Sequence, residues 1–299
     1  MVIGKETLKL IHLGSFYQVI IHLIKLAKLS QQRKDFKKTE QLLHLAFRSA
    51  QDLGHQKAQK YIIDEMANNA YELGDFRKAE KLFKEMMRRI ITDGTPPNDN
   101  AIIHISAKLA CLYGMFKDDL KANEGFKFCI SNLKEKLIKG ADDFDTKALY
   151  CLTLSWYGEY LHSTANNVEA LNLFQESLEI SKSINGPSHP HSLLQLNNMA
   201  AAYSVLNQLD DAANYLKETI RLSKEQLEYT AIDLPYYYIN LANIYLTQLN
   251  NPSENSSMLI KAASDACTEA FQLAKKAGDK EALMEVEKCR NGLKKHVDE

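Results

Sequence analysis

One phrase recurs along this 299-residue chain. A small residue sits inside an apolar stretch, a polar turn follows, and a second stretch opens on another small residue with a bulky one four positions later. The fullest copy runs from Met66-Ala67 through Gly74-Asp75-Phe76 to Ala79, Phe83 and Met86. Others place Ala27 before Thr39 and Leu43, Ala110 before Ala122 and Phe126, and Gly158 before Ala170 and Phe174. Ala200 precedes Ala212 and Leu216, and Ala242 precedes Ala263 and Cys267. Self-similarity at a period of this size dictates a stack of like units, none of which buries its apolar face alone. The reason for small residues is steric. Helices approach to about 8–10 Å only where side chains are short, so Ala67 and Ala79 open the gap and Phe83 fills the volume beside it.

A small residue, a Gly-Asp-aromatic turn, Ala and an aromatic at this spacing are the tetratricopeptide-repeat (TPR) pattern. The expected fold is therefore all-α: a TPR-type α-solenoid, a right-handed superhelix of antiparallel helix pairs. Only 12 Gly and 6 Pro in the whole chain fit helices throughout. The approximate repeats are 18–52, 60–92, 101–139, 147–184, 191–228 and 235–277, in one domain. A segment over 280–296 suits a helix that covers the last repeat. The second-helix anchors step by 40, 43, 48, 42 and 51 residues, so helices or loops exceed the minimal 34-residue unit. Turn residues gather at 93–99, 140–143 and 185–190, and a longer Asn/Ser-rich loop at 250–257.

Charge and motif content narrow the function classes. A formal net charge of -1 lacks the basic face that nucleic-acid binding needs. The five cysteines, with no C-x-x-C spacing, read as free thiols. His189 and His191, in a Pro-flanked segment without a neighbouring Cys, read as loop histidines rather than zinc ligands. Leu10 to Leu29 is apolar but interrupted by His12, Gln18, His22, Lys25 and Lys28. It reads as a buried first helix, with a membrane span as the alternative. No signal-peptidase site or Arg-rich leader is visible. Phosphate-loop, dinucleotide, nucleophile-elbow and zinc-protease motifs do not occur. The expected protein is no enzyme, with no catalytic residue, cofactor or metal, and its partners are proteins.

In a TPR array the first helix of each repeat lines the concave wall. There the register places Asp64, Glu65, Asn68, Lys108, Trp156, Glu159, Asn197, Asn198, Asn240 and Asn243. An Asn side chain donates and accepts at once, which suits a peptide backbone. Asn198 with Asn240 is the expected pair, with bonding between repeats as the alternative. Trp156 is the only tryptophan, a residue type favoured as an interface anchor. The carboxylate clamp of TPR co-chaperones needs lysines beside such asparagines in three consecutive repeats, and the sequence does not supply them.

Two further sets of segments are more specific. One is Tyr61-Ile-Ile-Asp-Glu-Met-Ala-Asn68 with Ala79-Glu-Lys-Leu-Phe-Lys84 and Ile105-Ser-Ala-Lys-Leu-Ala110; the other is Gly125-Phe-Lys-Phe-Cys-Ile-Ser131. They resemble the mitochondrial tetratricopeptide repeat protein 19 family from about Ile20 to Leu137 and more weakly beyond. That resemblance implies a mitochondrial inner-membrane protein facing the matrix, which supports assembly and upkeep of respiratory complex III and clears fragments of its Rieske subunit. It also implies an import leader and an anchor not visible here; Leu10–Ile24 stands either as a first helix or as a remnant of that anchor. Gly186 to Pro190 also resembles a connection in kinesin light chains, which keeps a cytosolic peptide-binding adaptor as the alternative.

Overall fold

A computed structural model describes the backbone of residues 5–225, 233–250 and 256–297 and, within them, side chains from Tyr17 to His296. Among these residues there are thirteen helices and no strand, so the fold is all-α. In chain order they are α1 (Lys5–Gln32), α2 (Phe36–Asp52), α3 (Gln56–Glu72), α4 (Phe76–Thr92), α5 (Asn100–Met115), α6 (Asp119–Ile138) and α7 (Phe144–Ser163). Then follow α8 (Asn167–Asn185), α9 (Pro190–Val205), α10 (Leu209–Glu225), α11 (Leu234–Leu249), α12 (Ser256–Ala277) and α13 (Lys280–Val297). The chain divides into two compact units, Met1–Cys129 and Ile130–Glu299.

The turn within a hairpin follows one plan. A left-handed residue ends the first helix, and the next residue's N–H reaches back five positions. Asp35 N donates to Ser30 O, Asp75 N to Ala70 O, Asp118 N to Tyr113 O and Asn166 N to Leu161 O, at 2.8–2.9 Å. Asp35 and Asp75 then cap the second helix by accepting from Lys38 N and Lys78 N. The left-handed position is Gly74 in one turn but Lys34, Lys117, Ala165 and Asn207 in others. Glycine alone is therefore a poor guide to it.

In the first unit, Ala27, Leu43, Ala46 and Ile62 form one core cluster, and Ala67, Ala79, Phe83, Ile102 and Ile105 another. Thr39 stands where later hairpins have Ala; it spends its hydroxyl on Ala27 O and Asp35 O. Ala110, Ala122 and Phe126 are fully buried there too. In the second unit Gly158, Ala170, Phe174, Ala200, Ala212, Ala242 and Ala263 are all buried. Gly158 has no room for a methyl group, because a Cβ there meets the Phe174 ring at 2.5 Å. Within that unit α13 packs on α11 and α12, with Ala282, Val286 and Cys289 buried.

Two expectations need revision in part, and a third is met by the first helix. The five cysteines are not all free: Cys267 of α12 and Cys289 of α13 are joined in a disulfide with Cα atoms 6.6 Å apart. Adjacent helix faces bring them together, which spacing along the chain does not announce. Of the two histidines expected in a loop, His189 lies in the connection before α9 but His191 does not. His189 is the N-cap of α9, and His191 lies in its first turn with Nδ1 3.6 Å from Cys151 Sγ. The apolar N-terminal stretch belongs to α1, and among the described residues no helix is long and apolar enough to cross a membrane. The side chains of Leu10–Phe16 and the loop residues 251–255 lie outside the described residues.

Candidate functional site

The candidate residues of the first unit face one another across successive hairpins. Lys108 Nζ on α5 lies 3.0 Å from Asp64 Oδ1 and 3.1 Å from Asn68 Oδ1 on α3, and Asn68 Nδ2 donates to Asp64 Oδ2 at 3.2 Å. Glu65 pairs with Lys28 of α1 at 2.9 Å. These charges are neutralised locally, and His104, one turn before Lys108, is pushed down to about 4 by burial and by the Lys108 cation. A cavity of about 330 Å³ at the ends of α3 and α4 includes Lys60, Arg88, Arg89 and Asp93. Its charges are likewise committed, Lys60 to Asp93 and both arginines to Glu85.

The second unit presents a different wall, built from α7, α9 and α11. Gln195 Nε2 donates to Ser155 Oγ at 2.8 Å, and Ser155 Oγ donates to Glu159 Oε1 at 3.1 Å. Asn198 Nδ2 reaches the same Glu159 oxygen at 3.3 Å. The crowded wall desolvates Glu159 and raises its carboxyl above the usual range, although the residue keeps exposed surface. Asn240 pairs with Asn197, not with Asn198: Asn240 Nδ2 donates to Asn197 Oδ1 at 2.9 Å. One residue is a turn of about 100° around a helix, so Asn198 points instead toward α7. Trp156 is half-buried on α7, and Asn243 is exposed on α11.

The Asn197–Asn240 bond uses one donor and one acceptor and, among the described residues, leaves Asn197 Nδ2 and Asn240 Oδ1 to spare. That is the complement of a peptide group's C=O and N–H. Both residues line two adjoining cavities on this wall. One, of about 490 Å³, includes His191, Leu194, Asp233 and Tyr236. The other, of about 260 Å³, includes Ala201, Ser204, Val205 and Asn243. Together they form a groove across α9 and α11 with apolar walls and a polar centre, the composition usual for ligand clefts. Tyr236, Asp233 and Leu194 carry no repeat signature, so the register argument missed them. Their clue is that α9 and α11 contain no Asp, Glu, Lys or Arg at all.

Beside the groove, burial pushes the Cys151 thiol up and His191 down. Both are held neutral, the reverse of the thiolate–imidazolium pair a cysteine nucleophile needs. Among the described residues no three His, Cys, Asp or Glu side chains gather as a metal site.

Comparison with known proteins agrees with the helical plan. A tetratricopeptide repeat model matches residues 149–225. The crystal structure of BtubC (BKLC) from P. vanneervenii superposes with a TM-score of 0.61 at 17% identity, covering 89% of this chain and 91% of that one. That likeness concerns the fold. Tetratricopeptide repeat protein 19, mitochondrial, of Homo sapiens is 32% identical over 75% of this chain and 60% of its own length. The mitochondrial tetratricopeptide repeat protein 19 homolog of Drosophila melanogaster is 34% identical over 92% of this chain. Since the chain also covers 72% of that fly protein, it belongs to the tetratricopeptide repeat protein 19 family.

Proposed function

We propose that this chain is a non-catalytic mitochondrial scaffold that holds an extended protein segment along the α7, α9 and α11 wall. The observation that carries the binding role is the Asn197–Asn240 pair, with an unspent donor and acceptor at the centre of an apolar groove. Such a pair grips backbone, which every protein segment offers, while the groove walls select side chains. The remaining candidates serve as bonds between repeats: Glu159 and Asn198 within this wall, and Asp64, Glu65, Asn68 and Lys108 within the first unit. Within the second unit α13 covers the last hairpin.

Kinship with proteins named as mitochondrial supports the compartment. The partner we propose is respiratory complex III at the inner membrane, on the matrix side. The chain's task there is assembly and upkeep, including removal of Rieske-subunit fragments. Affinity purification of the tagged protein from mitochondria tests this, with recovery of bc1 subunits expected. Failure to recover any of them, together with normal complex III in cells lacking the protein, overturns it. A diffuse cytosolic signal from the full-length protein would point instead to a peptide adaptor of the kinesin-light-chain kind.

A further inference from the structure

The groove is uncharged along its length but not at its mouth. Where α9 and α11 begin, carboxylates collect around Tyr236. Its hydroxyl donates to Asp279 Oδ2 at 3.0 Å. Burial, that bond and the fields of Asp279, Glu281 and Asp233 push the phenol up to about 12. Asp233 stands at the N-cap of α11, yet its side chain makes no capping bond. Among the described residues it has no ion pair, and it lines the larger cavity. His189 and His191 on the facing helix are lowered by burial and add no positive charge. Lys280 lies between Asp279 and Glu281 in the sequence and is exposed. Asp233, exposed and lining the larger cavity, therefore sets a negative charge at this end.

We propose that the groove selects an extended apolar segment bearing a lysine or arginine, whose cation sits at the Asp233–Tyr236 end while the backbone is held by Asn197 and Asn240. This rests on the peptide-holding reading above and adds the class of segment held. An apolar residue of the segment covers Leu194, which is 40% exposed. An acidic residue at the mouth meets like charge and is refused, so the carboxylates work as much by exclusion as by attraction. The geometry also fixes a spacing. Tyr236 and Asn240 are one helical turn apart, about 6 Å along the axis at 1.5 Å per residue. An extended segment advances about 3.3 Å per residue. The basic residue therefore lies about two positions from the residue clamped by the asparagines.

A library of random twelve-residue peptides displayed on phage and selected on the intact chain tests this. The expected winners share a Lys or Arg next to apolar positions. A fluorescent copy of one winner should lose about two- to fivefold in affinity on Asp233→Asn, the scale of one exposed ion pair. Asp233→Lys should shift the selection toward Asp or Glu, and a winner whose basic residue is changed to Glu should regain affinity for that variant. Asn197→Ala with Asn240→Ala should remove binding of every winner, and circular dichroism checks that each variant is folded. Winners that depend on the asparagines but show no basic preference, or keep their affinity on Asp233→Asn, overturn the proposal and leave the groove reading standing. Equal recovery from the wild type and the double asparagine variant overturns both.

Discussion

Burial of His104 gives the first unit an acid-sensitive point. Its folded pKa of about 4 lies below the ordinary 6.5, so between these values the unfolded chain takes up a proton that the folded chain refuses. Stability from this residue is complete above pH 6.5 and is lost as pH falls toward 4, by about 3 kcal/mol in all. His104→Gln should flatten that limb in urea titrations followed from pH 7 to pH 4; an unchanged limb assigns the loss elsewhere. At this scale the sequence was only partly legible. It indicated asparagines on the α9 and α11 wall, but the partner of Asn240 is Asn197, one position from the expected Asn198. A repeat register carries an uncertainty of one residue, and on a helix that is enough to turn a side chain to a different neighbour. Asp233 and Tyr236 escaped entirely, because residues at helix entrances follow no repeat pattern.

At the scale of helices and turns, the left-handed position before α2, α4, α6, α8 and α10 is the common device. For a residue with a Cβ this conformation costs roughly 1–2 kcal/mol, partly offset by the greater entropy glycine loses on folding. Ala165→Gly, at φ 65°, should therefore raise stability by about 0.5–1 kcal/mol in chemical denaturation. The same change on the solvent side of α8 should lower it. The Gly-Asp-aromatic signature announced this turn at Gly74 only; before α2, α6, α8 and α10 Lys, Ala or Asn takes the strained place, and the sequence is silent. The α12–α13 hairpin shows the same limit. Cys267 and Cys289 are 22 residues apart, a separation with no local signature, and only the packing of the two helices makes them neighbours. Closing a loop of that length is worth roughly 3 kcal/mol in the chain-entropy picture. Cys289→Ser should cost about that much, read as a shift of the urea midpoint.

At the scale of the whole molecule, stability in a repeat protein is a sum of units and their immediate contacts. Damage therefore travels one hairpin and fades. Gly158→Ala drives a methyl into the Phe174 ring, an overpacking cost of about 1–3 kcal/mol that outweighs the roughly 1 kcal/mol helix-propensity gain. Hydrogen exchange should quicken in α7, α8 and α9 while α1 to α4 keep their protection; faster exchange throughout would mean one cooperative block. The all-helical class was readable because small and bulky residues alternate on a fixed plan over most of the chain. The groove was not, since it arises from what α9 and α11 lack rather than from what they contain. The buried disulfide has a consequence in time. Both cysteines are at most 2% exposed, so reductant meets their sulfurs only after the last two helices part. Once shut, that hairpin outlasts a change of redox surroundings for as long as its two helices stay packed.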